Sequence, residues 1–289
     1  MISPFSVLSP TTVPEAAAEL VRLGDAARIY AGGAELLLLM RHGLLEPDYL
    51  VNIKPIPSLH GIRWDGNVLR LGAAVTHREL ERASLVRDYA PVLGEAERHV
   101  GNIRVRTQGT LGGNLSFADP HADPGTALLV HEATITAEGT DGPRQQQLED
   151  FFVGTYETSL EPSELLTEIQ IRPLPSGWGW SYQRIERFYR PTVNAAAAVA
   201  ARAGRIDEVR LAVGCVGPRP LRLRDLESRL RGLTLADAQR EVAASNAYLV
   251  DQLEPVSDLL GAADYKIHVT GVLLDCALDE AMARTGESR

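Results

Sequence analysis

Two glycine-rich segments hold the residues whose types and spacing could do chemistry. Gly32 and Gly33 fall between a predicted strand and a predicted helix, and residues 107–116 combine three glycines with two threonines, a glutamine and an asparagine. Paired glycines let the backbone approach a ligand closely, and their successive N–H groups suit phosphate oxygens. Neither segment has GxGxxG or P-loop spacing, and such turns are also common as plain structural turns. Together they favour a dinucleotide site that is not of the Rossmann type.

Residues 118–124 extend the second segment with two carboxylates, Asp119 and Asp123, each followed by a proline. Asp-Pro pairs are also ordinary turns. The histidines lack metal-ligand spacing, and we interpret them as surface or core residues, with His121 the exception of interest because it lies in this segment. A solvated strand face is the favoured interpretation for three arginines, Arg184, Arg187 and Arg190. The sequence therefore predicts no catalytic side chain and no metal site.

Composition narrows the class of protein. The chain has 289 residues, 45% of them hydrophobic and 23% charged, with a net charge of −9, which argues against disorder and against non-specific nucleic-acid binding. Its two cysteines, Cys215 and Cys276, form no disulfide framework or iron–sulfur motif, and both are expected to be buried thiols. No signal peptide is visible, and no apolar run approaches the roughly 18–20 residues of a membrane span. A cytoplasmic protein is expected.

The pattern of elements places both glycine segments next to predicted strands and helices. Residues 1–55 alternate helix and strand, which is typical of an α/β arrangement. Proline-rich seams occur at residues 54–57 and 173–177, and residues 101–126 are predicted to be one long structured loop. Residues 195–202 are ambiguous, since alanine propensity favours a helix whereas the hairpin pattern favours a strand. Amphipathic helices are predicted at three further places, residues 221–230, 236–249 and 265–282.

At these segments the chain resembles the flavin subunit of the molybdenum hydroxylases, as in the medium subunit of carbon-monoxide dehydrogenase and the flavin domain of xanthine dehydrogenase. The resemblance runs in order over nearly the whole chain. It is carried by Ala-Gly-Gly-Ala-Glu-Leu at 31–36, Gly-Thr-Leu-Gly-Gly-Asn at 109–114, Asp-Pro-His-Ala-Asp at 119–123, Phe-Phe-Val-Gly-Thr-Tyr at 151–156, Glu-Leu-Leu-Thr-Glu-Ile at 164–169, Val-Gly-Cys-Val-Gly-Pro-Arg-Pro at 213–220 and Asp-Tyr-Lys-Ile-His-Val at 264–269.

The resemblance implies an α+β fold. It comprises a two-subdomain FAD-binding fold of the vanillyl-alcohol oxidase and xanthine dehydrogenase type, plus a C-terminal domain with a three-stranded antiparallel sheet and helices. It also implies that residues 195–202 form a strand of that sheet. The expected bounds are 1–55 for FAD-binding subdomain 1, 56–174 for FAD-binding subdomain 2, and 175–289 for the C-terminal flavin-subunit domain.

The resemblance also implies where FAD is held, between the two N-terminal subdomains. Backbone N–H groups of residues 32–36 would hold the pyrophosphate. Thr110, Gly113 and Asn114 would meet the pyrophosphate, ribityl and adenosine side, and Asp123 the ribityl or flavin side. The isoalloxazine would meet Leu111 on one face and Tyr156 nearby, and Leu166 would line the adenine or the flavin ring edge. The whole implied set is Ala31, Gly32, Gly33, Ala34, Glu35, Leu36, Thr110, Leu111, Gly112, Gly113, Asn114, Asp119, Asp123, Tyr156 and Leu166.

One departure concerns this set. Ala34 and Glu35 stand where the family usually has a hydroxyl or a histidine, and an ionised Glu35 would repel a pyrophosphate unless its side chain turns away. No side-chain contact is therefore expected there.

By the resemblance, the chain is an electron-transfer subunit. Electrons would pass from a large molybdenum-cofactor subunit, through [2Fe-2S] clusters on a small subunit, to FAD here, and then to NAD⁺, a quinone, a cytochrome or oxygen. Two cysteines cannot ligate two clusters, and by the family's pattern the chain is too short to be the molybdenum subunit. Both partner subunits are therefore expected, in a heterotrimer that doubles to a heterohexamer. Two alternatives stay open: a self-standing flavin-dependent oxidase or dehydrogenase, and a non-catalytic flavin-binding module.

Overall fold

A small parallel sheet begins the fold. The computed structural model describes residues 2–187 and 189–286. The first elements are β1 (Ser6–Leu8), α1 (Val13–Leu23), β2 (Ala27–Tyr30), α2 (Leu36–Arg41) and β3 (Tyr49–Asn52), with strand order β1-β3-β2. The Thr12 hydroxyl caps α1 by accepting the Glu15 N–H, and Gly24 at φ 52° ends the helix. The predicted alternation of residues 1–55 is confirmed.

An antiparallel sheet of five strands forms the next layer. Its strand order is β4-β5-β10-β6-β7, and it packs its apolar face into the largest core cluster. The strands of this region, including a separate two-stranded pair β8 and β9, are β4 (Ile62–Trp64), β5 (Leu69–Gly72), β6 (Thr134–Gly139), β7 (Gly142–Gln147), β8 (Phe152–Gly154), β9 (Glu157–Thr158) and β10 (Leu165–Ile171). The Asp65 carboxylate accepts the N–H groups of Asn67 and Val68 and so closes the turn between β4 and β5.

Six helices lie between β5 and β6, and they correct one prediction. They are α3 (His77–Arg82), α4 (Ser84–Tyr89), α5 (Pro91–His99), α6 (Ile103–Gln108), α7 (Leu111–Phe117) and α8 (Pro124–Val130). Residues 101–126 are therefore not one long loop. Side chains of Asn102 and Thr110 accept the first-turn N–H groups of α6 and α7, and these caps outweigh the poor helix propensity of the glycines.

The C-terminal part is a sheet covered by helices. Its elements are β11 (Gly179–Arg187), β12 (Arg190–Arg202), β13 (Arg205–Gly214), β14 (Leu221–Arg222), α9 (Arg224–Leu230), α10 (Leu235–Ala244), α11 (Asn246–Leu253) and α12 (Ala263–Ala283). The three long strands are antiparallel as expected, and the two-residue β14 adds a fourth beside β13. The predicted helix at 221–230 loses its start to β14, and the one at 236–249 is interrupted at Ser245, from which α11 continues.

The alanine-rich residues 195–202, which were ambiguous between helix and strand, form part of strand β12. Ala196 and Ala198 belong to the core shared with the five-stranded sheet, whereas Ala195 and Ala197 belong to the C-terminal core. Helix α8 packs against β12 from one layer and α12 from the other. Since both faces of the strand are fully covered, packing overrides helix propensity. Burial on two sides also explains why the residues are small.

The cysteines differ from each other. Cys215 is buried, as expected, but Cys276 lies exposed on α12, so the expectation of two buried thiols is wrong for Cys276.

Three short 3-10 turns complete the described chain, Gly24–Ala26, Pro57–Leu59 and Leu148–Asp150. Within residues 2–187 and 189–286, no helix has the length and hydropathy required to cross a membrane. The domain bounds 1–55, 56–174 and 175–289 stay a prediction, although each range holds its own sheet.

Candidate functional site

A cavity of about 1140 Å³ lies among segments that connect the strands of the three larger sheets. It exceeds the roughly 300–1,000 Å³ of sites for drug-sized ligands, so it has room for a dinucleotide. The predicted residues that line it are Ala31, Gly32, Gly33, Ala34, Glu35, Leu36, Thr110, Gly112, Gly113, Asn114, Asp119, Asp123 and Leu166. Segments more than 70 residues apart in sequence thus form one wall, as the sequence hypothesis requires.

The first glycine element, residues 31–36, connects β2 to α2 and touches the other subdomain through its backbone. A Cβ on Gly32 would lie 2.2 Å from the Gln108 carbonyl oxygen and 2.7 Å from the Gly109 Cα. Gly33 has φ +74°, and a Cβ there would lie 2.3 Å from the Tyr30 ring. Glycine is therefore required at both positions, at Gly32 by contact and at Gly33 by conformation as well.

The second glycine element, residues 109–114, is pinned onto the segment that follows β5. The N–H groups of Leu111 and Gly112 donate to the carbonyls of Val75 and Ala73 at 3.0 and 2.9 Å. A Cβ on Gly112 would lie 2.5 Å from the Ala73 Cβ. The Thr110 hydroxyl accepts the Gly113 N–H at 3.1 Å and so begins α7. Close packing within one subdomain fixes this element.

Leu111 and Tyr156 are the predicted residues that lie apart from the cavity lining. Leu111 is fully buried in the largest core cluster. Tyr156 is 55% exposed, and its ring contacts Phe117 with 5.1 Å between centroids. Phe117 itself lines the cavity, so Tyr156 is one ring removed from it. Contact of either residue with the isoalloxazine stays a prediction.

The side chain of Asn114 shows that the cavity wall is incomplete without a polar ligand. Its Oδ1 atom is buried and has no hydrogen-bond partner. Buried polar atoms are nearly always paired, because an unpaired one costs about 1–3 kcal/mol. A hydroxyl or N–H group of a ligand in the cavity would satisfy this oxygen. The sugar hydroxyls of FAD are groups of that kind, and the glycine backbones suit its phosphates, so the residues present fit the cofactor.

Charged side chains meet on one part of the wall. Asp119 forms an ion pair with Arg190, the second described residue after β11. Burial raises the pKa of Glu35; the Arg190 guanidinium opposes that rise, and the Asp119 charge adds to it. Both the raised pKa and the neighbouring cation reduce the repulsion that Glu35 would exert on a pyrophosphate.

Side chains of strands β11 and β12 hold the Asp123 carboxylate in place. Its carboxylate accepts hydrogen bonds from the Tyr182 hydroxyl at 2.5 Å, from Arg184 at 3.0 Å and from the Asn194 amide at 3.4 Å. Burial raises the pKa of Asp123, and the Arg184 guanidinium opposes the rise. The side chain of Arg184 is only 6% exposed, so the interpretation as a solvated strand face is wrong for this residue. It faces a buried carboxylate instead of water.

Sequence reasoning missed the start of β12. Tyr189, Arg190 and Pro191 line the cavity, although they come from the C-terminal domain. We call these three residues the β12 wall. No local motif marks them, because the Asp119–Arg190 pair joins positions 71 residues apart. His77 also lines the cavity as a buried residue, paired through Nδ1 with Glu97 at 2.7 Å, which agrees with the interpretation of the histidines as surface or core residues.

Two family models match the chain. Residues 3–175 match the FAD binding domain in molybdopterin dehydrogenase, and residues 189–281 match the CO dehydrogenase flavoprotein C-terminal domain. The first model alone spans more than half of the chain, including both glycine elements.

Relatives and solved structures agree with these models. The chain is 34% identical to the carbon monoxide dehydrogenase medium chain of Hydrogenophaga pseudoflava, over 98% of this chain and 99% of that one. It is 31% identical to the nicotine 6-hydroxylase medium subunit of Paenarthrobacter nicotinovorans, over 96% and 97%. A chain of carbon monoxide dehydrogenase from H. pseudoflava superimposes with a TM-score of 0.94 at 33% identity, covering 99% of this chain and 100% of that one. A chain of quinoline 2-oxidoreductase from Pseudomonas putida 86 gives 0.90 at 29% identity, with 98% of each chain covered. This chain therefore belongs to the family of FAD-binding medium subunits of the molybdenum hydroxylases.

Proposed function

We propose that this chain holds FAD in the cavity between its two glycine elements and relays electrons from the iron–sulfur clusters of a partner subunit to an external acceptor. One observation carries the assignment of the site. The two elements touch through their backbones at Gly32 and line one cavity, into whose wall Asn114 brings an unpaired buried oxygen.

Each part of the wall has a separate task. Backbone N–H groups of residues 32–36 bind the phosphates, because this segment leads into α2, whose start leaves such donors without intrahelical partners. The Asn114 oxygen accepts a sugar hydroxyl, and the buried Leu166 side chain excludes water. Asp123, kept in place by Tyr182 and Arg184, orients the ribityl or flavin side. FAD supplies the redox chemistry when bound, and the chain supplies its position and electrostatic surroundings.

Partner subunits complete the pathway. The relatives are named as medium chains or medium subunits, and two cysteines cannot ligate two iron–sulfur clusters. We infer a large molybdenum-cofactor subunit and a small iron–sulfur subunit, assembled as a heterotrimer that doubles to a heterohexamer in the cytoplasm. The native mass of the co-expressed complex tests the stoichiometry, since a mass of one heterotrimer would overturn the doubling.

The first experiment compares absorbance spectra of the chain alone and of the complex with its co-expressed partners. We expect a flavin spectrum from this chain, with iron–sulfur bands and molybdenum only in the complex. Reduction of the flavin should follow substrate addition only when the partners are present. Turnover by the lone chain would support a self-standing oxidase, and a colourless complex that takes up no FAD would overturn the assignment.

A substitution at Asn114 assigns the cavity itself. Asn114→Ala removes the unpaired oxygen, so the Kd for FAD should rise by roughly tenfold, the equivalent of one lost hydrogen bond. The melting temperature of the apoprotein should not fall, since the variant removes a buried polar atom that has no partner. Asn67→Ala is a matched control in the turn between β4 and β5, where only the backbone N–H of this asparagine is used. Equal FAD affinity in the Asn114 variant and the control would place FAD elsewhere.

A further inference from the structure

A histidine with hydrogen-bond acceptors at both ring nitrogens joins the β12 wall to the FAD-binding domain. The Nδ1 atom of His121 lies 3.2 Å from the Pro191 carbonyl oxygen, and its Nε2 atom lies 2.9 Å from Oδ2 of Asp258. Its side chain is 15% exposed and lines the cavity. A carbonyl and a carboxylate can only accept, so the ring must donate from both nitrogens. Only the protonated imidazolium carries both N–H groups.

The surroundings of Asp258 keep that residue ionised. Burial raises the pKa of its carboxyl, but hydrogen bonds from Lys266 Nζ and the Leu260 N–H, together with the charges of Lys266 and His121, outweigh burial and hold the pKa below its usual value. The Lys266 Nζ lies 2.6 Å from the same Oδ2 atom that His121 contacts, and its side chain is 1% exposed. The ionised carboxylate of Asp258 carries no proton, so it can only accept a hydrogen bond from His121.

The turn that carries His121 holds the β12 wall at a second point. Oδ1 of Asp119 accepts the His121 N–H at 2.9 Å, and Oδ2 of Asp119 pairs with Arg190. One turn from the FAD-binding domain thus contacts two consecutive residues of the wall, Arg190 through a carboxylate and Pro191 through the imidazolium. The charged groups that face His121 are Asp119 on its own turn, Arg190 on β12, Asp258 before α12 and Lys266 on α12.

We propose that His121 is a positively charged positioning residue that fastens the β12 wall to the FAD-binding domain and makes the retention of FAD depend on pH. The inference rests on the proposed function, because it requires FAD in this cavity. A neutral imidazole has a single N–H, so loss of the proton forces His121 to release either Pro191 or Asp258. The wall then opens more readily, and bound FAD dissociates faster.

The test measures the rate of FAD release from the co-purified complex, by the rise in flavin fluorescence after dilution, from about pH 5.5 to 8.5, the range in which histidines change charge. The wild-type rate should rise by roughly tenfold across this range, which corresponds to one charge-assisted hydrogen bond. In His121→Gln both N–H donors lie on one nitrogen, and the other terminal atom is an oxygen that only accepts. The side chain cannot donate from the positions of both ring nitrogens, so the rate should be fast and independent of pH. His268→Gln, at an exposed position on α12, is the control and should keep the wild-type profile.

His121→Arg keeps the test decisive if His121→Gln does not assemble. Arginine stays charged and can donate to both acceptors, so release should be slow at every pH. A wild-type rate that does not change with pH would overturn the proposal, as would a wild-type profile in either His121 variant, which would assign the pH dependence to another group such as Glu35. These results would leave FAD binding intact, whereas a complex without flavin would overturn the proposed function instead.

Discussion

Both glycine elements contain a Gly-Gly pair, but different contacts fix them. In the first, Gly32 meets the backbone of Gln108 and Gly109, which belong to the other subdomain. In the second, Gly112 meets Ala73, which lies in the same subdomain and receives the Gly112 N–H. Glycine in the first element therefore permits the approach of two separate units, whereas glycine in the second permits a helix to pack on its own sheet.

Because of this difference, substitutions in the two elements should affect FAD binding and the free energy of unfolding to different extents. Damage at Gly32 should act mainly on the join between subdomains, and so on the Kd for FAD. Damage at Gly112 should act mainly on the core that Leu111 and Ala73 share, and so on the free energy of unfolding. Substitutions at the two glycines should therefore separate the effect on FAD binding from the effect on stability.

The largest effect on FAD binding is expected from Gly32→Ala. Its methyl group would overlap the Gln108 oxygen, so the subdomains must move apart and the phosphate donors shift. We expect the Kd for FAD to rise by roughly 100-fold and the free energy of unfolding to fall by about 1–2 kcal/mol. FAD titration by fluorescence quenching and chemical unfolding measure the two quantities.

Gly271→Ala is the matched control for a glycine-to-alanine change. Gly271 lies inside α12, and a Cβ there meets nothing within 4 Å. The variant should gain about 0.5–1 kcal/mol of stability and bind FAD as the wild type does. If Gly32→Ala also bound FAD normally, the contact between the subdomains would not shape the site.

Gly112→Ala should show the opposite balance. Its methyl group would press on the Cβ and carbonyl oxygen of Ala73, so we expect a loss of about 2–3 kcal/mol in the free energy of unfolding. The Kd for FAD should rise by only about tenfold, since the join at Gly32 remains. A larger change in FAD binding than in stability would break the distinction between the two elements.

The smallest effect is expected from Glu35→Gln, which removes a charge from the first element alone. An ionised Glu35 repels phosphates, so the variant should bind FAD about threefold more tightly near neutral pH. The pKa of Glu35 is raised in the folded state, chiefly by burial. The stability that the protonated carboxyl contributes is therefore complete below the pKa of Glu35 in the unfolded chain. It is lost as the pH rises through the pKa of Glu35 in the folded state.

Glu35→Gln should therefore remove that fall in stability, which thermal unfolding from about pH 4 to 8 would measure. Glu19→Gln, on an outward-facing position of α1, is the control for loss of one carboxylate. A higher Kd for FAD in the Glu35 variant would indicate that the carboxyl contacts the cofactor favourably.

Local signals predicted the glycine elements well. The strand and the helix around Gly32 follow from short-range patterns, and both are present, as β2 and α2. The same kind of signal was overlooked at Asn102 and Thr110, where caps turn a glycine-rich stretch into helices. The order of elements was therefore accessible from sequence wherever caps and turns dominate.

Long-range contacts were not accessible in this way. The helix-or-strand ambiguity of residues 195–202 depends on two layers that cover β12, and the role of Arg184 depends on a carboxylate 61 residues away. The β12 wall was missed for the same reason, since the Asp119 carboxylate that pairs with Arg190 is 71 residues away in sequence. Family resemblance supplied the strand, but not these side-chain partners.

The alanines of β12 also act as a spacer of fixed thickness. A methyl group on each face is the smallest side chain that keeps both layers in contact, so the distance between α8 and α12 is set by these residues. The same strand begins at Arg190 and Pro191, inside the cavity. Ala196 is buried in the sheet and lies outside the cavity lining. A bulkier residue there is therefore expected to displace the start of β12 and to change the dimensions of the cavity.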